Sequence, residues 1–123
     1  MRHVSTDGIF SFLRQNLHAK VLDVRCAHER AAGGRRLEDH HVPWYRPNWE
    51  PNTDFLEQVL TCISPDDYVL VMCSNGQLSC KAAALLEAAG FSHVYNVLGG
   101  YADFRTDSRC EYRNAVRRSP SPT

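Results

Sequence analysis

A cysteine between a predicted strand and a predicted helix is the residue of this chain best placed for covalent chemistry. The run Tyr68–Met72 is short and apolar and favours a β-strand, and Cys73 follows it directly. The alanine- and leucine-rich stretch Ser79–Ala89 predicts a helix, with Gly90 as its stop. Cys73 is therefore expected at the carboxyl end of a strand, where parallel sheets form their ligand sites.

The loop that follows the cysteine favours an ionised sulfur. Its main-chain amides precede a helix that begins near Leu78 or Ser79, so they can converge on an anion in front of the helix N-terminus. A thiolate is the nucleophilic form of cysteine, and such an environment stabilises it. Gly76 permits the positive φ that a tightly curled loop requires. The predicted site consists of Cys73 as nucleophile and Ser74, Asn75, Gly76, Gln77, Leu78 and Ser79 as the residues that hold the anion.

Length and composition predict one soluble domain. The chain has 123 residues, of which 43% are hydrophobic, enough for a real core. Its 14 basic and 14 acidic side chains cancel, so no overall field attracts nucleic acid or a membrane surface. The first residues lack the apolar stretch of a signal peptide or a membrane span, which predicts a cytoplasmic location. Five cysteines without a CxxC pair predict neither a disulfide framework nor a metal site.

The remaining elements must position the cysteine. Strands that alternate with helices predict an α/β fold with a mainly parallel sheet of about four to five strands and helices on both faces. The segment Cys26–Arg36 and the proline-containing stretch after it are predicted to be the least regular part. The other predicted elements are a helix Asp7–Asn16 capped by Ser5 or Thr6, a strand Lys20–Arg25, a short strand His41–Trp44, a helix capped by Asn52 or Thr53 and ended before Pro65, a strand His93–Leu98 and a short helix opened by "GGYADF".

The motif "CSNGQLS" resembles the active-site loop of rhodanese-like domains, commonly written C-x-x-G-x-x-S. Three further pieces agree with it: "VLDVR" is similar to a family strand, Glu29 matches the acidic residue a few positions later, and "HVYNVLGGYADF" is similar to the closing strand and its aromatic turn. The resemblance extends from Val4 to Phe104. It implies a rhodanese-like domain over residues 1–106, followed by a C-terminal extension, 107–123, that is expected to be flexible at its end.

The resemblance also implies an activity. Cys73 would accept a sulfane sulfur from a small sulfur-containing anion such as thiosulfate, or from a persulfide donor, and hold it as a persulfide. A thiol, cyanide or a thiol-bearing acceptor protein would then remove the sulfur in a ping-pong reaction. The implied enzyme is a rhodanese-type sulfurtransferase (EC 2.8.1 class) that uses no metal and no organic cofactor, because main-chain amides stabilise the anions. Its oligomeric state is left open.

One departure from the family pattern bears on the donor. Many relatives carry arginine where this chain has Leu78, so the loop offers no fixed cation to a dianion, and weak binding of thiosulfate is expected. Arg46, Lys81 or Arg105 are candidates for supplying positive charge from outside the loop.

Two other functions stay open. One is a rhodanese-like module that binds or regulates without catalysis, because a fold does not guarantee a function. The other is a cysteine phosphatase or arsenate reductase, whose loop resembles C-x5-R, but Ser79 stands where the oxyanion-clamping arginine would be.

Several residues have both a functional and an ordinary interpretation. Cys80 is predicted to pack as a small apolar residue, with a resolving thiol as the alternative. Arg25 and Glu29 are predicted to form a structural ion pair. Asp23 either tunes the loop or ties neighbouring amides. The aromatic residues that either line the mouth of the site or pack against prolines are Trp44, Tyr45 and Trp49.

Overall fold

Strands and helices alternate along the chain in the computed structural model, which describes residues 2–33 and 39–104. The strands are β1 (Arg2–Ser5), β2 (Lys20–Asp23), β3 (His40–His41), β4 (Tyr68–Met72) and β5 (His93–Leu98). The helices are α1 (Thr6–Gln15), α2 (Ala27–Gly33), α3 (Phe55–Leu60), α4 (Gln77–Ala88) and α5 (Gly100–Phe104). Within those residues, no helix combines the length and the apolar character that crossing a bilayer requires. The predicted extension 107–123 lies outside the described residues.

The five strands form one sheet in the order β1-β5-β4-β2-β3, and each neighbouring pair is parallel. This confirms the predicted parallel sheet. Asp23 at the end of β2 lies in register with Met72 at the end of β4. The carboxyl ends of β2 and the central strand β4 therefore meet at one edge, directly before Cys73.

Both faces of the sheet are covered by helices, as predicted. Successive side chains of β4 point to opposite faces, so Val69 and Val71 join one apolar cluster while Leu70 and Met72 join the other. The first cluster also contains buried residues of α3 and α4, and the second contains those of α1 and α5. A strand buried on both faces reads as a continuous apolar run, which is why β4 was recognisable from the sequence.

The helix boundaries differ from prediction by a few residues. Ser5 caps α1, because its Oγ accepts a hydrogen bond from the Gly8 amide at 3.3 Å. Helix α4 begins at Gln77, one or two residues before the predicted start at Leu78 or Ser79. The predicted caps of α3 were wrong, because Asp54 holds the N-cap position. Asn52 instead accepts a hydrogen bond from the Asp54 amide at 3.1 Å and so shapes the turn before the helix.

Two elements were not predicted. Strand β1 has four mostly exposed residues at the edge of the sheet, so it lacks an apolar pattern of its own. Helix α2 has no buried residue and lies in the segment that was predicted to be irregular. The predicted strands Lys20–Arg25 and His41–Trp44 are shorter than expected, ending at Asp23 and His41. Short surface elements of this kind are stabilised by the sheet they join rather than by their own residues.

Candidate active site

The sulfur of Cys73 lies directly beyond β4, in front of the first turn of α4. Its Sγ accepts hydrogen bonds from the main-chain amides of Gly76 at 3.1 Å and Ser79 at 3.3 Å. Cys73 is 2% exposed, yet it contributes to the wall of an open recess of about 350 Å³. The residues that share this wall are Glu29, Tyr45, Ser74, Asn75, Gln77, Leu78 and Lys81.

Hydrogen-bond acceptors also surround the sulfur. The Cys73 thiol can donate to Ser79 Oγ at 3.4 Å, with Asn75 Oδ1 farther away at 3.9 Å. The Asn75 oxygen is itself oriented by the Gln77 amide, which donates to it at 3.1 Å. The sulfur is thus held between amides that favour the thiolate and oxygens that favour the thiol.

The predicted loop residues differ in whether they contact the Cys73 sulfur. The amides of Gly76 and Ser79 contact the sulfur, while Asn75 approaches it through its side chain. The Ser74 hydroxyl donates instead to Glu29 at 3.2 Å. Gln77 and Leu78 line the recess. The sequence therefore predicted that this loop lies beside Cys73, but not which partner each of its residues contacts.

Gly76 is required by both its conformation and its neighbours. Its φ is 90°, in the left-handed region that a side chain disfavours, as the sequence predicted. A Cβ at this position would lie 3.0 Å from the Gly99 nitrogen and 3.1 Å from the Val97 oxygen. Since Val97 belongs to β5, the glycine lets the loop pack directly against the neighbouring strand.

Helix α5 supports the loop from the other side. The amide of Tyr101 donates to the Cys73 carbonyl at 2.9 Å, and the amide of Ala102 donates to the Ser74 carbonyl at 2.8 Å. A Cβ on Gly100 would overlap the Cys73 oxygen and lie 2.9 Å from the carbonyl carbon of Ser74. The two hydrogen bonds and the close contact at Gly100 therefore hold the main chain of Cys73 and Ser74 against the first turn of α5.

A buried network of charged residues surrounds Tyr101, which lies on α5. Asp23 accepts hydrogen bonds from the Arg25 amide at 3.0 Å, from the Arg25 guanidinium and from Arg30 Nη1 at 2.7 Å. The Arg25 guanidinium also stacks over the Tyr101 ring, 4.0 Å from its centre. Burial, together with Asp39, raises the pKa of Tyr101 well above its usual value. The Tyr101 hydroxyl accordingly keeps its proton and donates to Asp39 at 2.7 Å.

The predicted ion pair between Arg25 and Glu29 is replaced by other contacts. Arg25 pairs with Asp23 at 3.1 Å. The Glu29 carboxylate accepts hydrogen bonds from the Cys26 amide at 3.1 Å and from the Ser74 hydroxyl. Glu29 thus links α2 to the loop that carries Cys73 and adds a negative charge to the wall of the recess.

Replacing Asp23 with asparagine is expected to lower the free energy of unfolding by about 2 kcal/mol, because hydrogen bonds to a buried charged group are lost. The side chain keeps its shape, so packing changes little. Urea unfolding at neutral pH measures the difference. Asp54→Asn is the matched control, since Asp54 is 57% exposed where it pairs with Arg46, and we expect less than about 1 kcal/mol. Equal losses in the two variants would contradict the prediction.

The candidate cations differ in position. Lys81 lines the recess beside Cys73. Arg46 lies instead in a separate groove of about 930 Å³ and contacts Asp54 at 3.3 Å. Arg105 lies outside the described residues. Lys81 and Glu29 bring opposite charges to the same recess, so its local charge is close to balanced.

The three aromatic residues have different surroundings. Tyr45 lines the recess, whereas the Trp44 ring packs edge-on against Phe55 with ring centres 5.0 Å apart. Trp49 is 58% exposed and contacts Tyr45 at 6.1 Å between ring centres. Tyr45 therefore lies at the mouth of the site, as one interpretation predicted, and its main chain also forms a bridge with Pro51. The ring that Trp44 contacts is Phe55 rather than a proline.

The other cysteines differ from Cys73 in their contacts. Among the described residues, Cys26, Cys62, Cys73 and Cys80 form no disulfide bond. Partial burial raises the pKa of Cys62, which favours its protonated form. Cys110 lies outside the described residues. Among the described part of the chain, no three histidine, cysteine or acidic side chains are grouped as a metal site would require.

Comparison with protein families adds independent findings. The model of the "Rhodanese-like domain" matches residues 11–107 of the chain. Among solved structures, Rv0390 of M. tuberculosis is similar with a TM-score of 0.68 and 28% sequence identity, covering 81% of this chain and 79% of that one.

Three curated relatives are also similar. Thiosulfate sulfurtransferase 18 of Arabidopsis thaliana is 50% identical over 50 residues, which are 41% of this chain and 37% of the relative. Thiosulfate sulfurtransferase GlpE of Pseudomonas putida (strain GB-1) is 36% identical, covering 76% of each chain. The mitochondrial protein HIGH ARSENIC CONTENT 1 of Arabidopsis thaliana is 33% identical over 68% of this chain and 50% of its own length.

Proposed function

The chain belongs to the rhodanese-like domain family, and from this we propose that it is a sulfurtransferase in which Cys73 carries a sulfane sulfur as a persulfide. The observation that supports this most is the pair of amides, Gly76 and Ser79, that donate to the Cys73 sulfur. Preorganised donors of this kind stabilise the negative charge of a thiolate without a metal. The same donors suit the persulfide anion.

The proposed transfer proceeds in two steps. The Cys73 thiolate attacks the outer sulfur of thiosulfate, forming an S–S bond, and the bond between that sulfur and the sulfonate sulfur breaks. Sulfite leaves with the electron pair, and Cys73 becomes a persulfide. A cyanide ion or an acceptor thiolate then attacks the outer sulfur, and the Cys73 thiolate leaves. No oxidant or reductant is needed, because each step exchanges one bond to sulfur for another.

The charges around the recess guide the choice of donor. Glu29 places a carboxylate on its wall, and Leu78 stands where many relatives have arginine. A dianion gains little there beyond the contribution of Lys81. We therefore favour a persulfide donor over thiosulfate and a thiol-bearing protein as acceptor. The four described cysteines form no disulfide bond, which fits the reducing cytoplasm, where we place the protein.

A second candidate is arsenate reduction, which we consider because the name of one relative, HIGH ARSENIC CONTENT 1, refers to arsenic. It has weaker support at the site. Ser79, at the position of the clamping arginine in a C-x5-R loop, directs its hydroxyl to Asn96. The scaffold alternative, in turn, gives no reason for two amides to converge on a thiol.

Intact mass spectrometry tests the proposal directly. The reduced protein is incubated with cysteine persulfide or thiosulfate, and we expect a gain of one sulfur atom that peptide mapping places on Cys73. Cyanide should remove the sulfur as thiocyanate. Loading is expected to be faster with cysteine persulfide. Absence of an adduct with both donors would support the scaffold, and arsenate-dependent thiol oxidation without an adduct would support the second candidate.

A further inference from the structure

Asn96 is a buried amide that contacts the loop from the neighbouring strand β5. It is 1% exposed. Its Nδ2 donates to the Gly76 carbonyl at 3.2 Å and faces His3 Nδ1 at 3.3 Å, while its Oδ1 contacts the Ser79 hydroxyl. Every polar atom of the Asn96 side chain thus has a partner, and two of those partners carry the amides that bind the Cys73 sulfur.

These contacts fix the direction of each hydrogen bond. A carbonyl oxygen only accepts, so the Asn96 atom that faces Gly76 must be the nitrogen. The atom that faces Ser79 is then the oxygen, which also only accepts. The Ser79 hydroxyl must therefore donate its proton to Asn96.

The direction of this bond determines what Ser79 can offer to Cys73. A hydroxyl has one proton, and once Asn96 holds it, Ser79 Oγ presents lone pairs to the sulfur 3.4 Å away. Those lone pairs accept a hydrogen bond from the thiol but oppose the thiolate. The Gly76 and Ser79 amides act in the opposite sense. Turning the hydroxyl toward a thiolate would leave the buried Asn96 oxygen without its partner, which is costly.

We infer that Asn96 is a positioning residue: by holding the Ser79 hydroxyl, it sets the pH range in which Cys73 ionises and becomes nucleophilic. This inference rests on the proposed function of Cys73 as the sulfur-bearing nucleophile, and it adds a control on that sulfur. The charged or titratable groups that face the site from the surrounding elements are His3, Arg25, Glu29, Tyr45, Lys81 and Tyr101. All variants below retain these groups, and of them only His3 contacts the Asn96 side chain that is replaced.

The test measures the pH dependence of Cys73 alkylation by iodoacetamide, resolved by peptide mapping so that the other cysteines do not contribute. Asn96→Leu has nearly the same shape but cannot accept the Ser79 proton. The hydroxyl is then free to donate to the thiolate, and we expect the midpoint of the profile to move down by about one pH unit. A midpoint that stays in place or moves up would overturn the inference.

Asn96→Asp should move the midpoint in the opposite direction. The carboxylate still accepts the Ser79 proton and adds negative charge, so we expect an upward shift of about one pH unit. The added charge alone is enough to cause this shift, so Asn96→Asp checks only that the site responds to charge at position 96. Should Asn96→Leu not fold, Ser79→Ala decides: a lower midpoint supports the inference, because lone pairs that oppose the thiolate are removed, and an unchanged or higher midpoint overturns it.

Two further variants show whether the effect passes through Ser79. In a Ser79→Ala background, Asn96→Leu is expected to cause no additional shift, because the hydroxyl is absent; a full shift there would overturn the inference. Asn52→Leu is the matched control. Asn52 is also buried, at 8% exposure, and donates to the Pro43 carbonyl and to Gln58, both at 2.9 Å, away from the sulfur. It should leave the midpoint unchanged, and a shift equal to that of Asn96→Leu would contradict a local effect.

Alkylation requires no sulfur donor, so this experiment gives a result even if the protein transfers no sulfur. Shifted midpoints without sulfur loading would support the role of Asn96 and refute the proposed function. Sulfur loading with unshifted midpoints would support the proposed function and refute the role of Asn96.

Discussion

Replacing Cys73 with alanine is expected to abolish sulfur loading completely. The donors that hold the sulfur, the amides of Gly76 and Ser79, remain in this variant, but there is no nucleophile to attack the donor. The loss should therefore be total rather than partial, with both thiosulfate and cysteine persulfide. Intact mass after incubation measures it, and circular dichroism checks that the fold is retained.

The remaining thiols provide the controls for this prediction. Cys80→Ala is expected to load as the unmodified protein does, because Cys80 lies on α4 and is not among the residues that line the recess of Cys73. Cys73→Ser keeps the side-chain shape but has a hydroxyl that does not ionise near neutral pH, so it should not load. An adduct that persists in Cys73→Ala would refute the assignment. Loss of sulfur release to acceptors in Cys80→Ala would instead identify Cys80 as a resolving thiol.

Gly100→Ala is expected to lower the free energy of unfolding by at least about 3 kcal/mol, because overpacking against a fixed backbone cannot be relieved by a rotamer change. The new Cβ would overlap the Cys73 carbonyl oxygen and press on Ser74. If the loop yields, the hydrogen bonds from α5 to these two carbonyls are lost. We therefore also expect slower sulfur loading in any fraction that folds. Urea unfolding and the loading rate are the measurements.

Gly90→Ala is the matched control for this substitution. Gly90 also has a positive φ, 101°, but a Cβ there would meet nothing within 4 Å. The backbone penalty alone costs about 1 kcal/mol. A similar loss of stability in both variants would show that conformation, and not the close approach to Cys73, limits position 100.

The parts of the molecule that the sequence predicted are those whose signals are local. The apolar run of β4, the alanine-rich helix α4 and Gly76 between them each satisfy a condition that their own residues reveal: burial on both faces, helical periodicity and a positive φ. The place of Cys73 follows from their order alone. Family resemblance supplied the chemistry that order by itself does not specify.

The parts that the sequence did not predict depend on contacts between distant residues. Glu29 accepts a hydrogen bond from Ser74, which is 45 residues away in the sequence. Strand β1 forms only by pairing with β5. Asp23 was recognised as unusual in an apolar strand, but its partner Arg30 lies in a helix that has no buried face to reveal it. Side chains that are polar and partly exposed carry no periodic signal, so their partners become visible only once the fold is known.

The register of the edge strand gives the first few residues of the chain a role at the site. His3 lies beside Asn96 because β1 pairs in parallel with β5, and the family match begins only at residue 11. Trimming the protein to the matched span would delete β1 and uncover one side of the amide that orients Ser79. Such a shortened version would still include the whole loop, but the pH dependence of Cys73 alkylation in it would differ from that in the intact chain.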